Sequence, residues 1–170
     1  MIDIFVRVNR GLAPPGMRRA FDAYVTRSLA EEVGRIDDYY DASRHRSFWV
    51  ATDGRRLLGH FGLEPADDSA VEVRRMYVDF PFRRQGIARA MLAHAEKHAQ
   101  ESDFERVVLS TSSLQRAALA LYLSAGYELL REDIAATASL KTVGNGIRRF
   151  HFGKNLSKPL APKIPAIESR

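Results

Sequence analysis

The residues with the clearest chemical potential lie in one run, Met76 to Leu92, where an apolar strand-like stretch gives way to a basic, glycine-containing loop and then to a helix. The first turn of a helix carries unpaired backbone N–H groups and a partial positive charge, so several donors there can converge on a pyrophosphate. Arg83 and Arg84 add full charges beside Gln85. Gly86 and Ala88, flanking Ile87 and followed by Arg89, leave room for close approach of an anion. A second cluster, His94-Ala95-Glu96-Lys97-His98, spaces two imidazoles one helical turn apart but lacks the order of a zinc-binding helix, so it reads as a solvated face and no metal site is expected.

Composition narrows what this chemistry can be. The chain has 170 residues, 45% of them hydrophobic, which is enough for one sizeable core and short for two. It has no cysteine, which excludes disulfides, thiolate metal sites and an acyl-cysteine intermediate together. Lys and Arg total 26 against 21 Asp and Glu, a formal charge of +5 that suits a small polyanion as well as a nucleic acid. The basic residues concentrate at a helix entrance without the aromatic interleaving of a base-stacking platform, so no nucleic-acid partner is expected. No run approaches the ~18 apolar residues of a membrane span and the start lacks a basic leader, so a cytoplasmic protein without a membrane partner is the expectation.

The elements that must position the loop follow from periodicity. Ile2 to Val8 alternates and predicts a strand. Pro14-Pro15 and Gly16 break the chain before two helices carrying Phe21, Tyr24, Val25, Leu29, Val33 and Ile36, with Gly34 as an interruption. Ser47–Thr52 and Leu57–Leu63, joined at Asp53-Gly54, predict a hairpin with Trp49 in the core, and Val71–Asp79 a third strand. Strand and helix then alternate, which implies parallel pairing through crossover helices. Helical stripes at Ile87, Met91, Leu92 and Ala95 and at Leu114, Ala118, Leu121 and Tyr122 flank a strand at Arg106–Thr111. Tyr127–Arg131 and Arg148–Leu156 are the last strands, separated by a long connection at 132–146. The domain is expected to cover 1–156, with a Pro-rich basic tail at 157–170.

Arg83-x-x-Gly86-x-Ala88 resembles the pyrophosphate loop of GNAT acetyltransferases, and the later run Gln115 to Tyr127, with Ala118, Leu121-Tyr122 and Gly126-Tyr127, is similar to their second motif. Tyr39-Tyr40, Phe48-Trp49-Val50-Ala51 and Thr111-Ser112-Ser113-Leu114-Gln115 look similar to camello-like members. The resemblance implies an α/β (α+β) GNAT fold: a mixed sheet of about six to seven strands, about four helices, and a splayed parallel pair that receives the pantetheine arm of acetyl-CoA. It implies backbone contacts from Met76, Tyr77 and Val78, phosphate contacts from Arg83 through Arg89, and further cofactor contacts from Thr111, Gln115, Ala118 and Tyr122. Gln115 stands where many relatives carry Asn, which alters a hydrogen bond on the cofactor side. The membrane segment of eukaryotic camello-like members is not expected here, since no run in the sequence approaches the length of a membrane span.

By the same resemblance the chain transfers acetyl directly to an amine of a small molecule or amino-acid derivative. A peptide N-terminus or lysine is the alternative acceptor, and a non-catalytic acetyl-CoA sensor the alternative role. Tyr122 matches the tyrosine that protonates the leaving thiolate, with packing in an apolar helix face as its competing role. Glu72 is the first choice for the base, against an ordinary ion pair with Arg74 two residues along, and Glu64 is the second. The chain is expected as a monomer or homodimer.

Overall fold

The computed structural model describes residues 1–156; the expected tail at 157–170 lies outside the described residues. Two helices open the chain, α1 (Ile2–Leu12) and α2 (Arg18–Ser28), followed by a π-helical turn at Leu29–Val33 and the short α3 (Ile36–Tyr39). Then come β1 (Ser47–Thr52), β2 (Leu57–Pro65), β3 (Ala70–Val78), α4 (Ile87–Glu101), β4 (Arg106–Ser112), α5 (Arg116–Ser124), β5 (Glu128–Ala135) and β6 (Ile147–Asn155). The six strands form one mixed sheet in the order β1-β2-β3-β4-β6-β5, in which β3 and β4 alone are parallel among the described pairs. The fold expected from sequence is therefore present, with five α-helices among the described residues where about four were expected.

The opening strand is a correction. Ile2–Val8 is helical because Ile4, Phe5 and Val8, buried together with Asn9, make a single stripe at helical spacing. That stripe packs on Phe21 and Tyr24 of α2 and on Tyr77, and tertiary contact overrides the β propensity of its Ile and Val residues. Gly34 interrupts the helical run as expected: α2 widens into the π turn, which is capped at Gly34, and α3 starts at Ile36. One smaller correction remains, since the connection expected at 132–146 is shorter because β5 continues to Ala135.

Apolar residues divide between the faces of the sheet by strand alternation. Phe61, Leu63, Val71, Val73, Val107, Leu109 and Phe152 meet Met91, Leu92 and Ala95 of α4 and Tyr122 of α5. On the opposite face α1, α2 and the π turn cover the sheet through Phe5, Phe21, Tyr24, Val25 and Val33. Trp49 is half-buried at the edge of the first layer, its ring edge-on to His94 and His98, so these histidines cover an indole rather than facing only solvent.

His60 of β2 is fully enclosed between Phe48 and Tyr77, and neither ring nitrogen has a hydrogen-bond partner among the described residues. Burial, helped by nearby positive charge, pulls its pKa down to about 4. The folded chain thus keeps His60 neutral in a range where the unfolded chain protonates it, and stability falls as pH drops from about 6.5 towards 4. Urea unfolding at pH 7 and pH 5 should reveal about 2 kcal/mol less acid loss in His60→Leu than in the wild type. Equal losses would mean that the imidazole finds water or a proton acceptor.

Candidate functional site

The site is built around an irregularity in β3. On β2, Gly62 pairs with Arg74 and His60 with Tyr77, so β3 carries one residue more than its partner across this interval. The extra residue is accommodated at Arg75, whose φ of 52° is left-handed, a conformation that costs a non-glycine residue on the order of 1 kcal/mol. A regular strand would send Arg74 and Arg75 to opposite faces. The bulge brings both guanidiniums to one carboxylate, Glu32 of the π turn, with Arg74 Nη2 at 2.9 Å and Arg75 Nη2 at 2.6 Å.

Glu32 is fully buried. Burial alone would raise its pKa, but Arg75 and Arg74 and the Tyr40 hydroxyl, which donates at 2.6 Å, outweigh it and hold the carboxyl below the usual range. Tyr40 in turn lies flat against Gly62, where a Cβ would fall 2.4 Å from its ring, so β2 needs glycine at this point. Arg74 also donates to Glu64 at 2.6 Å, Arg75 to the Tyr24 hydroxyl at 2.6 Å, and Tyr39 to Glu64 at 2.9 Å.

The bulge has a consequence on the other edge of β3. Parallel pairing with β4 runs from Ala70 and Arg106 to Val73 and Leu109 and stops there. Beyond Val73 the two strands part. Arg74 to Tyr77 and Ser110 to Ser112 then face a gap lined also by Gln115 and Tyr122. Met76, Tyr77 and Val78 line a cavity of about 630 Å³ that continues past Leu114, Ala118 and Leu121 to Arg83, Arg84, Gly86, Ile87, Ala88 and Arg89. That is within the range of small-molecule sites.

At the far end of this cavity stands the entrance of α4. Its first helical bond runs from Ala90 N to Gly86 O, so the amides of Ile87, Ala88 and Arg89 precede the ladder and have no helical acceptor. Gly86 caps the helix at φ 81°, and a Cβ there would project into open space, so glycine is required by conformation rather than by crowding. Arg83 is held by its own Nε, which donates to Val78 O at 3.1 Å, and lies 3.8 Å above the Phe80 ring. Gln85 donates to Pro81 O and Arg89 to Ser124 Oγ, while Arg84 makes no ion pair among the described residues. Arg116, given no role from sequence, joins these arginines, and no acidic side chain lines this cavity.

The other end of the gap is smaller, about 110 Å³, and contains Glu72, Thr111, Gln115, Tyr122 and Arg149. Tyr122 lines both cavities, together with Leu12, Met76, Tyr77, Leu114 and Gln115. Burial pushes its phenol up to about 12, so it is a protonated donor at neutral pH. Gln115 accepts from Thr111 Oγ1 at 2.9 Å, tying the start of α5 to β4. Glu72 is buried, but the ion pair weighed for it with Arg74 is absent: Arg74 is taken by Glu32 and Glu64, and Glu72 instead meets Lys141 Nζ from the β5–β6 connection. Glu64 lies directly opposite Glu72 on β2 and is held by Arg74, Tyr39 and Arg46.

The residues expected at Met76 to Val78 and around the α4 entrance thus share one cavity, whereas the buried network beside it was not foreseen. Glu32, Arg75, Tyr24 and Lys141 were not singled out. Glu32 carried a signal, since it falls three and seven residues after Leu29 and Val25 on the apolar stripe, where a charge needs a buried partner.

A parted parallel pair beside an anion-ready helix entrance is the arrangement of an acyl-CoA site, and comparison with known proteins agrees. Residues 17–127 match the acetyltransferase (GNAT) family model. The chain belongs to the GNAT acetyltransferase family. It is 31% identical over 116 residues to human (Homo sapiens) N-acetyltransferase 8 and 33% identical over 116 residues to the N-acetylaspartate synthetase of Danio rerio. These alignments cover 65% and 68% of this chain but 51% and 41% of those proteins, so the chain spans about half or less of their length. A GNAT family acetyltransferase of Staphylococcus aureus Mu50 superposes with a TM-score of 0.67 at 17% identity, covering 92% of this chain and 90% of that one. One from Elizabethkingia anophelis, solved with acetyl-CoA bound, gives 0.60 at 18% identity over 76% of this chain and 87% of that one. No helix of the described residues is long and apolar enough to cross a membrane.

Removing one partner of a buried ion pair leaves the other uncompensated. Glu32→Gln should lower the stability measured by chemical denaturation by about 3–5 kcal/mol. Glu101→Gln, on the exposed face of α4, should stay within about 0.5 kcal/mol. A loss below ~1 kcal/mol in Glu32→Gln would remove the network from the foundations of the site.

Proposed function

We propose that this chain binds acetyl-CoA along the groove and transfers its acetyl group directly to the amine of a small molecule or amino-acid derivative. The observation that carries this reading is the continuity of the groove: Met76, Tyr77, Leu114, Gln115 and Tyr122 line both the cationic cavity and the small one. The diphosphate would rest on the amides of Ile87, Ala88 and Arg89, with Arg83, Arg84 and Arg116 supplying charge. The pantetheine arm would lie between β3 and β4, using the backbone groups of Met76 to Val78 that β4 does not pair, and the thioester would come to rest near Tyr122.

In the reaction the acceptor nitrogen attacks the thioester carbon, a tetrahedral oxyanion forms against a backbone N–H of Met76 or Tyr77, and the C–S bond breaks. The acceptor's proton passes to Glu72, directly or through water, and Tyr122 donates its own to the departing thiolate. Glu64, across from Glu72 on β2 and hydrogen-bonded by Arg74 and Tyr39, would be the second choice for that proton. With no cysteine in the chain, direct attack needs no covalent enzyme intermediate.

The size of the acceptor end favours a small molecule over a peptide. The turn at Ser139–Thr142 closes over it, and Arg149, which spends one amine on Ser110 Oγ at 2.8 Å, has donors left for an acceptor carboxylate. A relative whose name specifies an N-acetyl amino acid product points the same way. Nothing in the groove calls for a membrane, and a cytoplasmic location remains part of the proposal.

Two variants test the reading. Gly86→Glu adds left-handed strain and a negative charge at the phosphates, and should weaken acetyl-CoA binding in calorimetry by more than about ten-fold. Tyr122→Phe should lower kcat by about 100-fold or more and leave acetyl-CoA affinity within about three-fold. Unchanged binding in the first would vacate the helix entrance, and wild-type turnover in the second would assign the tyrosine to packing.

A further inference from the structure

If Glu72 takes the proton of the acceptor, an ammonium must come into contact with its carboxylate, and one already has. Lys141 Nζ is hydrogen-bonded to Glu72 Oε2 and lies 3.9 Å from Glu64 Oε1. Lys141 lines the same small cavity as Met76, Tyr77 and Tyr122. Its placement is built rather than incidental. Ser139 and Thr142 close a tight turn, Ser139 N donating to Thr142 O at 2.9 Å and Thr142 N to Ser139 O at 3.3 Å, with Leu140 and Lys141 at the tip. Arg75 Nη2 donates to Leu140 O at 2.9 Å, so the guanidinium that anchors the bulge also anchors this turn. The side chain of Lys141 is 45% exposed, which leaves its stem free to swing while the backbone stays fixed.

We propose that Lys141 is an acetyl acceptor in cis: the chain acetylates its own Lys141 when acetyl-CoA is bound and no other amine competes. The inference rests on the acetyltransferase reading above. Lys141 Nζ gives a proton to Glu72 and attacks the thioester carbon. An N–C bond forms, the C–S bond breaks and the thiolate leaves with the proton of Tyr122; the second proton shed by the nitrogen returns to the Tyr122 phenolate and the one on Glu72 passes to water, so that CoA and an uncharged acetyl-lysine are the products. Tethering the amine beside its base raises its effective concentration over any free amine. The other described lysines do not share this setting. Lys97 pairs with Glu101 on the exposed face of α4, Lys154 with Glu96, and neither lines the groove.

The experiment incubates the purified chain with acetyl-CoA alone and maps acetyl-lysine by mass spectrometry against time. The expected result is one acetyl group per chain, on Lys141, at a rate independent of protein concentration. Labelling should be lost in Lys141→Arg and slowed by about ten-fold or more in Glu72→Gln. An amine panel run on the same preparation separates the two claims. Transfer to an external amine with Lys141 unlabelled overturns the inference and leaves the acetyltransferase reading standing. Label spread over Lys97 and Lys154 at the pace of Lys141, and unchanged in Gly86→Glu, is uncatalysed chemistry and also overturns it. Absence of transfer to any amine, with no binding of acetyl-CoA, overturns both.

Discussion

A single buried carboxylate organises this molecule. Glu32 is enclosed on every side and binds two consecutive guanidiniums, Arg74 and Arg75, which only a bulged strand can bring to the same face. Desolvating three charges is costly, and the left-handed residue at Arg75 adds on the order of 1 kcal/mol of strain. These costs are offset only when every partner is in place, which is why Tyr24, Tyr40 and Glu64 close the remaining hydrogen bonds. The return is geometric. A regular β3 would pair with β4 along its whole length, whereas the bulged one lets go after Val73 and opens the groove.

The groove sorts charge along its length. At the α4 entrance there are arginines and free amides without a carboxylate, which suits phosphates. In the middle, unpaired backbone and the Tyr122 phenol, kept protonated by burial, suit a thioester. At the far end Glu72, Lys141 and Arg149 line the small cavity together, with Glu64 3.9 Å from the Lys141 ammonium, so both signs of charge meet there. The same connection between β5 and β6 that closes this end supplies Lys141, so access and competition for Glu72 are linked in one short turn.

The cofactor side was legible in the sequence because its signals are local. Arg83 to Ala88 and Gln115 to Tyr127 lie within contiguous runs, and backbone amides at a helix start follow from the start itself. The sheet order after Val71 followed from alternation of strand and helix. What stayed hidden depends on contacts between distant residues. The pairing of Lys141 with Glu72 spans 69 positions, and that of Arg75 with Glu32 spans 43. Ile2 to Val8 carried both a strand-like and a helical pattern, and only packing against Tyr24 and Tyr77 chooses between them. Arg74 was weighed only as a partner of Glu72 and Arg75 was given no role, because the bulge that buries both has no signature in residue type.

If the parted strands and the α4 entrance together form one acetyl-CoA site, amide hydrogen exchange with and without acetyl-CoA will reveal it, since it reads the backbone donors themselves. Exchange at Met76 to Val78 and at Gly86 to Arg89 should slow when acetyl-CoA is added, with the β1–β2 turn unchanged. Binding of acetyl-CoA that leaves both segments exchanging as before, or that protects only surfaces away from the gap, would contradict it.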